Sequence, residues 1–217
     1  MQVIDLTHPI TPSMPVYPGT EPPSIRQATT VEQDGFAEKW IGMYSHTGTH
    51  IDAHAHMLPG AVTLDRLPID HFVGLARVLD VSSLAGREIG VDFLEARAAE
   101  LEAAEFVLFH TGWSLLWNEE SYFSGFPVLS LDAARWLCRR GLKGVGFDAM
   151  SADPVGVPLF VNHLAFFQAG MIIIENLTGL APLIGRPFRF SCLPLKLEQA
   201  DGSPVRAVAM LDQARKA

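Results

Sequence analysis

Four of the eight histidines in this 217-residue chain lie close together, all on even-numbered positions and with a carboxylate among them. These candidate residues are His46, His50, Asp52, His54 and His56. Imidazole and carboxylate together are a ligand set for zinc or manganese, whereas a structural zinc site would also offer thiolates. A hydrogen-bonded or exposed histidine is the alternative at any single position. Because the same donor chemistry recurs at short spacing, the segment predicts a metal site.

The chain must bend for these side chains to share one ion. β-Branched residues between the candidates favour extended backbone, which would direct the candidates to one face. A straight strand of this length separates its ends by about 33 Å, at about 3.3 Å for each residue. His50 and Asp52 reach a common ion directly, but His46 and His56 need a bend on each side. Gly48 is the expected position of the first bend, because glycine adopts backbone angles that other residues avoid.

The elements that must carry this segment alternate between strands and helices in the middle of the chain. Apolar and β-branched runs predict strands over residues 3–6, 36–44, 76–81, 105–110, 143–147, 171–175, 188–197 and 205–211. Periodicity and cap residues predict helices over residues 92–101, 130–140 and 158–168. A turn is expected at 201–204, between the last two strands. The pattern predicts a single α/β domain with a mixed sheet over residues 1–217.

Prolines mark residues 1–30 as an extended arm. Pro9, Pro12, Pro15 and Pro18 recur at every third residue, which is the period of a polyproline II helix. Such a segment cannot form an interior helix or a central strand. We therefore expect a short first strand over residues 3–6 followed by an extended arm, in which most of the prolines belong to a structural loop.

Composition excludes several classes of protein. Hydrophobic residues make up 48% of the chain and charged residues 18%, which argues against intrinsic disorder. The net charge of −8 disfavours nucleic acid and anionic membranes as partners. The two cysteines, Cys138 and Cys192, exclude a disulfide scaffold and a cysteine-based zinc finger. The start lacks the pattern of a leader peptide and no apolar run has membrane-spanning length, so we expect a cytoplasmic protein.

The central segment resembles the signature of a known family. Residues 46–56 read HTGTHIDAHAH, which is similar to the signature of the metal-dependent cyclase-type hydrolases, a family that includes bacterial kynurenine formamidase and isatin hydrolase. Weaker matches occur in the same order as in the family. They precede the signature at residues 5–10 and 14–19 and come after it at residues 146–154, 175–177, 193–196 and 201–207. The resemblance implies a compact α/β domain of the swivelling β/β/α type. It also implies assembly as a homodimer or a larger homo-oligomer.

The resemblance also implies a role for each candidate residue. The implied ligands of one or two divalent ions, zinc first and manganese as the alternative, are His46, His50, Asp52, His163 and Glu175. Asp52 would bridge the two ions, and Glu175 would complete the second site together with His163. His56 would donate and accept protons.

Residue patterns by themselves support only part of this ligand set. Glu175 ends the apolar run 171–174, and a buried carboxylate there needs a partner, which a metal ion would supply. The residue pattern alone favours the alternatives, a salt bridge or an exposed strand end. His163 lies in an apolar helical segment, where a hydrogen-bonded core histidine is the alternative to a ligand. Asp148 and Asp153 are expected in turns, or as hydrogen-bond partners of ligands.

Two positions depart from the family pattern. The family often has proline where this chain has His54, whose interpretations are an extra ligand, a hydrogen-bond partner of a ligand, or a substrate contact. Kynurenine formamidases typically have a substrate-contacting tryptophan at the position of Tyr17, and tyrosine can still stack on an aromatic ring. Core packing is favoured over pocket lining for Trp113, Trp117, Phe123 and Phe126.

The implied activity is hydrolysis of an amide or formamide C–N bond in a small, aromatic substrate. A bound ion would polarise the carbonyl group and lower the pKa of water toward about 7. His56 would then protonate the leaving nitrogen. N-formylkynurenine, a compound of tryptophan catabolism, is the first candidate, and a cyclic amide or lactone is the second. A non-catalytic protein that binds a metal or a small molecule would use the same ligands without needing His56 beside them.

Overall fold

Strands and short helices alternate along the computed structural model, which describes residues 1–212. Residues 213–217, the end of the expected domain, lie outside the described residues. The strands are β1 (Gln2–Asp5), β2 (Ser24–Thr29), β3 (Glu38–Gly42), β4 (His50–Asp52), β5 (Val73–Asp80), β6 (Glu88–Ile89), β7 (Phe106–His110), β8 (Val128–Leu129), β9 (Gly144–Phe147), β10 (Ile172–Glu175), β11 (Phe188–Ser191), β12 (Gly202–Pro204) and β13 (Val208–Leu211). The α-helices are α1 (Val31–Asp34), α2 (Val91–Glu95), α3 (Leu131–Cys138) and α4 (Val161–Gln168). Short 3-10 helices cover His54–His56, Leu64–Arg66, Ile69–Phe72, Ser82–Leu84, Ala98–Leu101, Trp113–Leu116, Glu120–Phe123 and Ala181–Leu183.

One large mixed sheet joins the two ends of the described chain. It has nine strands in the order β1-β13-β11-β5-β7-β9-β10-β4-β12. The central strands β5, β7, β9 and β10 are parallel, and antiparallel strands extend the sheet on both sides. Strands β2 and β3 form a separate antiparallel hairpin, while β6 and β8 form a short parallel pair. The prediction of an α/β fold with a mixed sheet is therefore confirmed.

Apolar side chains cover both faces of the central strands. Ile172 and Ile174 pack on one face together with Phe106, whereas Ile173 packs on the other face in the cluster that contains the buried residues of α3 and α4. Successive side chains of a strand point to opposite faces, and all of β10 is buried. This double burial explains why β10 reads as an unbroken apolar run. The Glu175 carboxylate follows that run at the carboxyl end of the parallel strands.

Most of the predicted elements are confirmed. The strands predicted over 3–6, 36–44, 76–81, 105–110, 143–147 and 171–175 correspond to β1, β3, β5, β7, β9 and β10. The helix predicted over 130–140 is α3, and the Ser130 side chain caps it by accepting a hydrogen bond from the Ala133 amide. Local signals are sufficient here because apolar periodicity and cap residues agree with the tertiary burial.

Two helix predictions need correction. The helix predicted over 92–101 is broken, since α2 ends at Glu95 and a 3-10 turn follows. Arg97 leaves the helical region there, with φ −115° and ψ 12°. The helix predicted from residue 158 begins at Val161, because Phe160 has the non-helical angles φ −92° and ψ 72°.

The C-terminal strand predictions also need correction. The strand predicted over 188–197 ends at Ser191, and the strand predicted from residue 205 begins at Val208. Residues 201–204 are not simply a turn, because Gly202–Pro204 form β12 and pair antiparallel with β4. Aspartate, glycine, serine and proline favour turns, so this strand depends on its tertiary partner rather than on local preference.

The proline-rich arm has no strand or helix between residues 8 and 23. In the last part of the expected extended arm, residues Ser24–Thr29 form the strand β2, which pairs with β3. Within residues 1–212, no helix combines the length and apolarity that crossing a lipid bilayer requires.

Candidate metal centre

The histidine segment bends twice, and the sheet holds it between two neighbouring strands. Gly48 adopts a left-handed φ of +65° at the expected position of the first bend. Strand β4 is short, and the 3-10 turn His54–His56 follows it as the second bend. The antiparallel register places His50 opposite Glu175 of β10 on one side and opposite Pro204 of β12 on the other. Tertiary pairing therefore brings the Glu175 carboxylate beside the histidine cluster.

Three side chains of this segment form a first group of candidate ligands. His46 Nδ1 lies 2.6 Å from Asp52 Oδ1, and His50 Nε2 lies 3.1 Å from the same oxygen. One donor atom from each residue lies within 4.8 Å of the other two. His50 and Asp52 are buried, while His46 is partly exposed. This spacing allows all three residues to contact one ion.

A second group shares Asp52 with the first. His163 Nε2 lies 3.2 Å from Glu175 Oε1 and 3.8 Å from Asp52 Oδ2. Donor atoms of Asp52, His163 and Glu175 also lie within 4.8 Å of one another, and all three residues are buried. The structure thus brings together the five residues expected as ligands, although α4 and β10 lie more than 100 residues from the histidine segment in sequence.

The donor chemistry of both groups fits divalent cations. The two oxygens of Asp52 face different groups, Oδ1 toward His50 and Oδ2 toward His163. Nitrogen and carboxylate oxygen donors are the ligands that zinc and manganese accept. The buried carboxylates of Asp52 and Glu175 need positive charge nearby, which bound cations would supply.

Each of the three histidines in these two groups has a hydrogen-bond partner on the ring nitrogen that faces away from Asp52. His50 Nδ1 lies 2.8 Å from the Gly48 carbonyl oxygen. His163 Nδ1 lies 2.7 Å from a carboxylate oxygen of Asp153, and His46 Nε2 lies 2.9 Å from a carboxylate oxygen of Asp201. Such partners fix the position of the ring proton and leave the other nitrogen free for a metal ion.

The loop after β9, residues 148–160, contacts the two other members of the second group, Glu175 and His163. The Ala152 amide donates a hydrogen bond of 2.9 Å to Glu175 Oε1. The Asp153 carboxylate accepts hydrogen bonds from the Asn162 and His163 amides as well as contacting the His163 ring. The start of α4 is thereby fastened to this loop.

Carboxylates and burial act in opposite directions on the imidazole groups. Burial lowers the pKa of His46, but Asp52 and Asp201 outweigh burial and raise this pKa to about 9. Burial likewise lowers the pKa of His163, and its carboxylate neighbours outweigh burial and raise it to about 10. Because a histidine binds a metal ion through an unprotonated nitrogen, these raised pKa values couple metal binding at His46 and His163 to the release of protons.

His56 lies beside the first group and faces the cavity. Its ring centre is 3.9 Å from that of His46, and its Nδ1 lies 3.5 Å from Asp201 Oδ2. Burial lowers the pKa of His56 from its ordinary value. A neutral imidazole with access to the cavity is able to accept and return a proton at neutral pH.

His54 is separated from both groups of donor atoms. Its buried ring packs edge-on near Phe167 and His71, with ring centres 6.2 and 6.5 Å away. Its Nε2 has no hydrogen-bond partner among the described residues. The structure therefore places His54 behind the site, where it offers no ligand atom to either group.

A cavity of about 540 Å³ opens above the two groups. Its floor contains the candidate ligands, and its walls include the side chains Val16, Tyr17, Thr20, Tyr44, Met57, Met150 and Phe160. The Tyr17 hydroxyl accepts a hydrogen bond of 3.3 Å from the Gly156 amide, which places this arm residue over the cavity. The arm and the loop after β9 thus meet beside the same cavity.

Sequence reasoning missed several residues of this cavity. Tyr44, Met150 and Phe160 supply its apolar walls, and Asp201 lies at its edge. Asp201 belongs to residues 201–207, which resemble the family, but the composition of residues 201–204 indicates only a turn. The four aromatic residues for which the sequence favoured core packing lie in or against the hydrophobic core: Trp113, Trp117, Phe123 and Phe126.

Comparisons with known proteins agree with this architecture. A curated kynurenine formamidase of Bacillus cytotoxicus is 35% identical over 206 residues, which cover 94% of this chain and 95% of that protein. The solved structure of isatin hydrolase A from Ralstonia solanacearum has a TM-score of 0.85 at 27% identity, with 97% of this chain and 92% of that chain covered. A "predicted metal-dependent hydrolase" from Bacillus stearothermophilus has a TM-score of 0.78 at 33% identity, with 96% of this chain and 97% of that chain covered.

A sequence model of a protein family also matches this chain. The model named Cyclase, with the description "Putative cyclase", matches residues 4–154, which include the histidine segment, most of the arm and the first part of the loop after β9. The matched range and the full-length relatives show that this chain belongs to the Cyclase family.

Proposed function

We propose that this protein is a metal-dependent hydrolase that cleaves the amide or formamide C–N bond of a small aromatic substrate. The observation that carries the proposal is the pair of donor groups that share Asp52 at the floor of a cavity, with His56 at its wall. A protein that only stores metal does not require a titratable side chain between its ligands and an open cavity.

The proposed division of roles follows the geometry. His46, His50 and Asp52 would hold one ion, and Asp52 would hold a second together with His163 and Glu175. A bound divalent ion would polarise the substrate carbonyl group and lower the pKa of water toward about 7. The outer hydrogen bonds keep the ligand nitrogens directed at the shared carboxylate.

His56 is the proposed carrier of the proton. Burial lowers the pKa of His56, which favours the neutral imidazole. The ring would accept the proton that water loses as its oxygen bonds to the carbonyl carbon, and would transfer that proton to the nitrogen as the C–N bond breaks. The ring lines the cavity and lies beside the candidate ligand His46, so it would be close to a substrate held at the proposed metal site.

N-formylkynurenine is the proposed substrate. The curated relatives named kynurenine formamidase, 35% identical over 94% of the chain, support this choice. Tyr17, Tyr44 and Phe160 place aromatic rings on the cavity walls, and aromatic rings stack favourably against a substrate ring. Tyr17 stands where those enzymes typically have tryptophan, so we propose that it forms the substrate-stacking wall here.

A cyclic amide is the second candidate. The fold is superimposable on isatin hydrolase A with a TM-score of 0.85, compared with 0.78 for the metal-dependent hydrolase of Bacillus stearothermophilus. In both isatin and N-formylkynurenine the nitrogen of the C–N bond to be cleaved is attached to an aromatic ring, so both compounds would present the same kind of bond to the proposed site. Direct competition between the two compounds in one assay identifies the preferred substrate.

Metal removal and restoration test the proposal. The protein is stripped with a chelator, verified as metal-free, and assayed on N-formylkynurenine and isatin before and after addition of zinc or manganese. We expect activity to disappear with the metal and to return with it. Full activity in the metal-free protein contradicts the proposal, and metal binding without turnover of either compound supports the non-catalytic alternative.

His56→Ala tests the role of the proton carrier. We expect turnover to fall by roughly 10² to 10⁴, the range for losing a general acid–base group, while bound metal stays near its wild-type content. Asp132→Asn, which neutralises an exposed carboxylate on α3, is the matched control for both readouts. Wild-type turnover in His56→Ala would remove His56 from the mechanism.

We further propose zinc as the physiological metal, a homodimer or larger homo-oligomer, and a cytoplasmic location. Trp40, Ile41 and Tyr44 are exposed at the β2–β3 hairpin, and a two-stranded hairpin is marginal without a packing partner. The free thiols Cys138 and Cys192 fit a reducing compartment. Light scattering of the purified protein, elemental analysis and fractionation of the producing cell test these three points.

A further inference from the structure

The turn at the start of β12 contains a carboxylate to which the proposed function assigns no role. Asp201 Oδ2 lies 2.9 Å from His46 Nε2 and 3.5 Å from His56 Nδ1. Its other oxygen, Oδ1, accepts a hydrogen bond of 3.0 Å from the Ser45 hydroxyl. Both oxygens are therefore in contact with the histidine segment, although Asp201 lies 155 residues from His46 along the chain.

The neighbouring glycine makes this contact possible. A Cβ atom at position 202 would lie 2.5 Å from His46 Cε1 and 2.6 Å from His46 Nε2. The His46 ring thus lies directly against the backbone of β12, with space for no side chain between them. The register of β12 with β4 and a hydrogen bond of 2.8 Å from the Ala53 amide to the Asp201 carbonyl oxygen hold the turn in place.

We propose that Asp201 is a positioning residue that orients His46 for metal binding. A neutral imidazole has one N–H group, and a carboxylate beside Nε2 keeps the proton on that nitrogen. Nδ1, which faces Asp52, is then free to bind the ion. The inference rests on the proposed metal site, and it adds to that site a residue that contacts a ligand rather than the metal.

The other two candidate histidines support this interpretation by their own partners. His50 donates to the Gly48 carbonyl oxygen and His163 contacts the Asp153 carboxylate, each through the nitrogen that faces away from Asp52. Asp201 supplies the equivalent contact for the third histidine. Its side chain is 46% exposed, so an asparagine of nearly the same shape is expected to fold in its place.

Metal affinity is the decisive readout, because Asp201 also faces His56 and activity alone would not separate the two contacts. Metal-free protein is titrated with zinc in competition with a chromogenic chelator. We expect Asp201→Asn to weaken zinc binding roughly 10- to 100-fold, the usual effect of losing a hydrogen-bond partner of a metal ligand. Asp132→Asn, on an exposed carboxylate of α3, is the matched control and is expected to keep the wild-type affinity.

Gly202→Ala tests whether the position of the His46 ring matters for zinc binding. Its new Cβ would displace His46, so zinc binding is expected to weaken although every carboxylate is retained. Gly90→Ala is the matched control, because a Cβ at that position contacts nothing within 4 Å. The thermal midpoint of each metal-free variant shows whether folding is retained.

The outcomes distinguish this inference from the proposed function. If wild-type protein binds no zinc or manganese, the metal site itself is contradicted. If wild-type protein binds zinc and Asp201→Asn binds it equally well, only the positioning role of Asp201 is overturned. Weakened binding in both Asp201→Asn and Gly202→Ala, with folded metal-free proteins, supports the inference.

Discussion

At the scale of single residues, each candidate histidine ligand presents one ring nitrogen to the shared carboxylates and the other to a partner. The partners differ in charge, since Gly48 offers a carbonyl oxygen while Asp153 and Asp201 offer carboxylates. A carboxylate makes the imidazole a stronger donor to a metal ion than a neutral acceptor does. The affinity of the proposed metal site is therefore expected to depend on residues that hydrogen-bond to the candidate ligands as well as on the ligands themselves.

Asp153→Asn tests this dependence at the second group. We expect the variant to weaken zinc binding roughly 10- to 100-fold, because the His163 ring loses its charged partner. Chelator competition measures the effect. The same substitution at the exposed Asp132 is the control, and equal affinities in the two variants would contradict the prediction.

His8 is a buried histidine outside the metal site, and it makes stability depend on pH. Its ring stacks on Trp117 with centres 4.0 Å apart, and burial lowers its pKa to about 4. The unfolded chain takes up a proton near pH 6.5 that the folded chain takes up only near pH 4. The contribution is thus present above about pH 6.5 and lost as the pH falls toward 4, which lowers the free energy of unfolding by roughly 2 to 3 kcal/mol.

Urea unfolding at pH 7 and pH 4.5 measures this effect in wild-type protein and in His8→Gln. We expect the variant to lose less stability between the two pH values than the wild type does, because glutamine does not titrate. An equal loss in both proteins would show that other groups cause the acid sensitivity.

At the scale of elements, the ends of β10 and β4 are joined by a buried polar network. Asn176 follows β10 with a left-handed φ of +56° and donates a hydrogen bond of 3.0 Å to the Gly48 carbonyl oxygen. The fully buried Tyr122 hydroxyl donates to Asn176 Oδ1 at 2.7 Å. The same Gly48 oxygen contacts the His50 ring, so the network connects the core to a candidate ligand.

Tyr122→Phe tests this connection. Removing the hydroxyl leaves Asn176 Oδ1 buried without its donor, which is expected to lower the free energy of unfolding by about 1 to 3 kcal/mol. Urea unfolding of the metal-free protein measures the change. Tyr44→Phe is the matched control for stability, because Tyr44 is exposed, and a loss of equal size in both variants would contradict the prediction.

At the scale of the whole molecule, the site joins segments that are distant in sequence. Strands β4 and β10, helix α4 and the loop after β9 each supply a ligand or its partner. A metal ion that binds only this folded arrangement stabilises the entire fold by mass action. Part of the net charge of −8 is also located here, in the buried carboxylates of Asp52 and Glu175.

Metal binding is therefore expected to raise the stability of the protein. At a free zinc concentration of about 1,000 times Kd, the free energy of unfolding should increase by about 4 kcal/mol. Thermal or urea unfolding with and without zinc measures the increase. His50→Ala should remove most of it, and an unchanged midpoint in wild-type protein would contradict a metal site formed only in the folded state.

The sequence by itself determined the central parallel strands, helix α3, the bend at Gly48 and the donor types of the histidine segment. These features depend on neighbouring residues, through apolar periodicity, cap residues and the backbone freedom of glycine. The identities of His163 and Glu175 as candidate ligands came from family resemblance. Their local patterns alone favoured a hydrogen-bonded core histidine at 163 and a salt bridge or an exposed strand end at 175.

Tertiary structure alone decided which distant side chains meet. It assigned β12 to a stretch that composition marks as a turn, and it brought Asp201 to His46. It also placed His54 behind the site rather than among the ligands. The physical reason is that strand pairing and burial act between segments far apart in the chain, whereas sequence patterns report only the preferences of neighbouring residues.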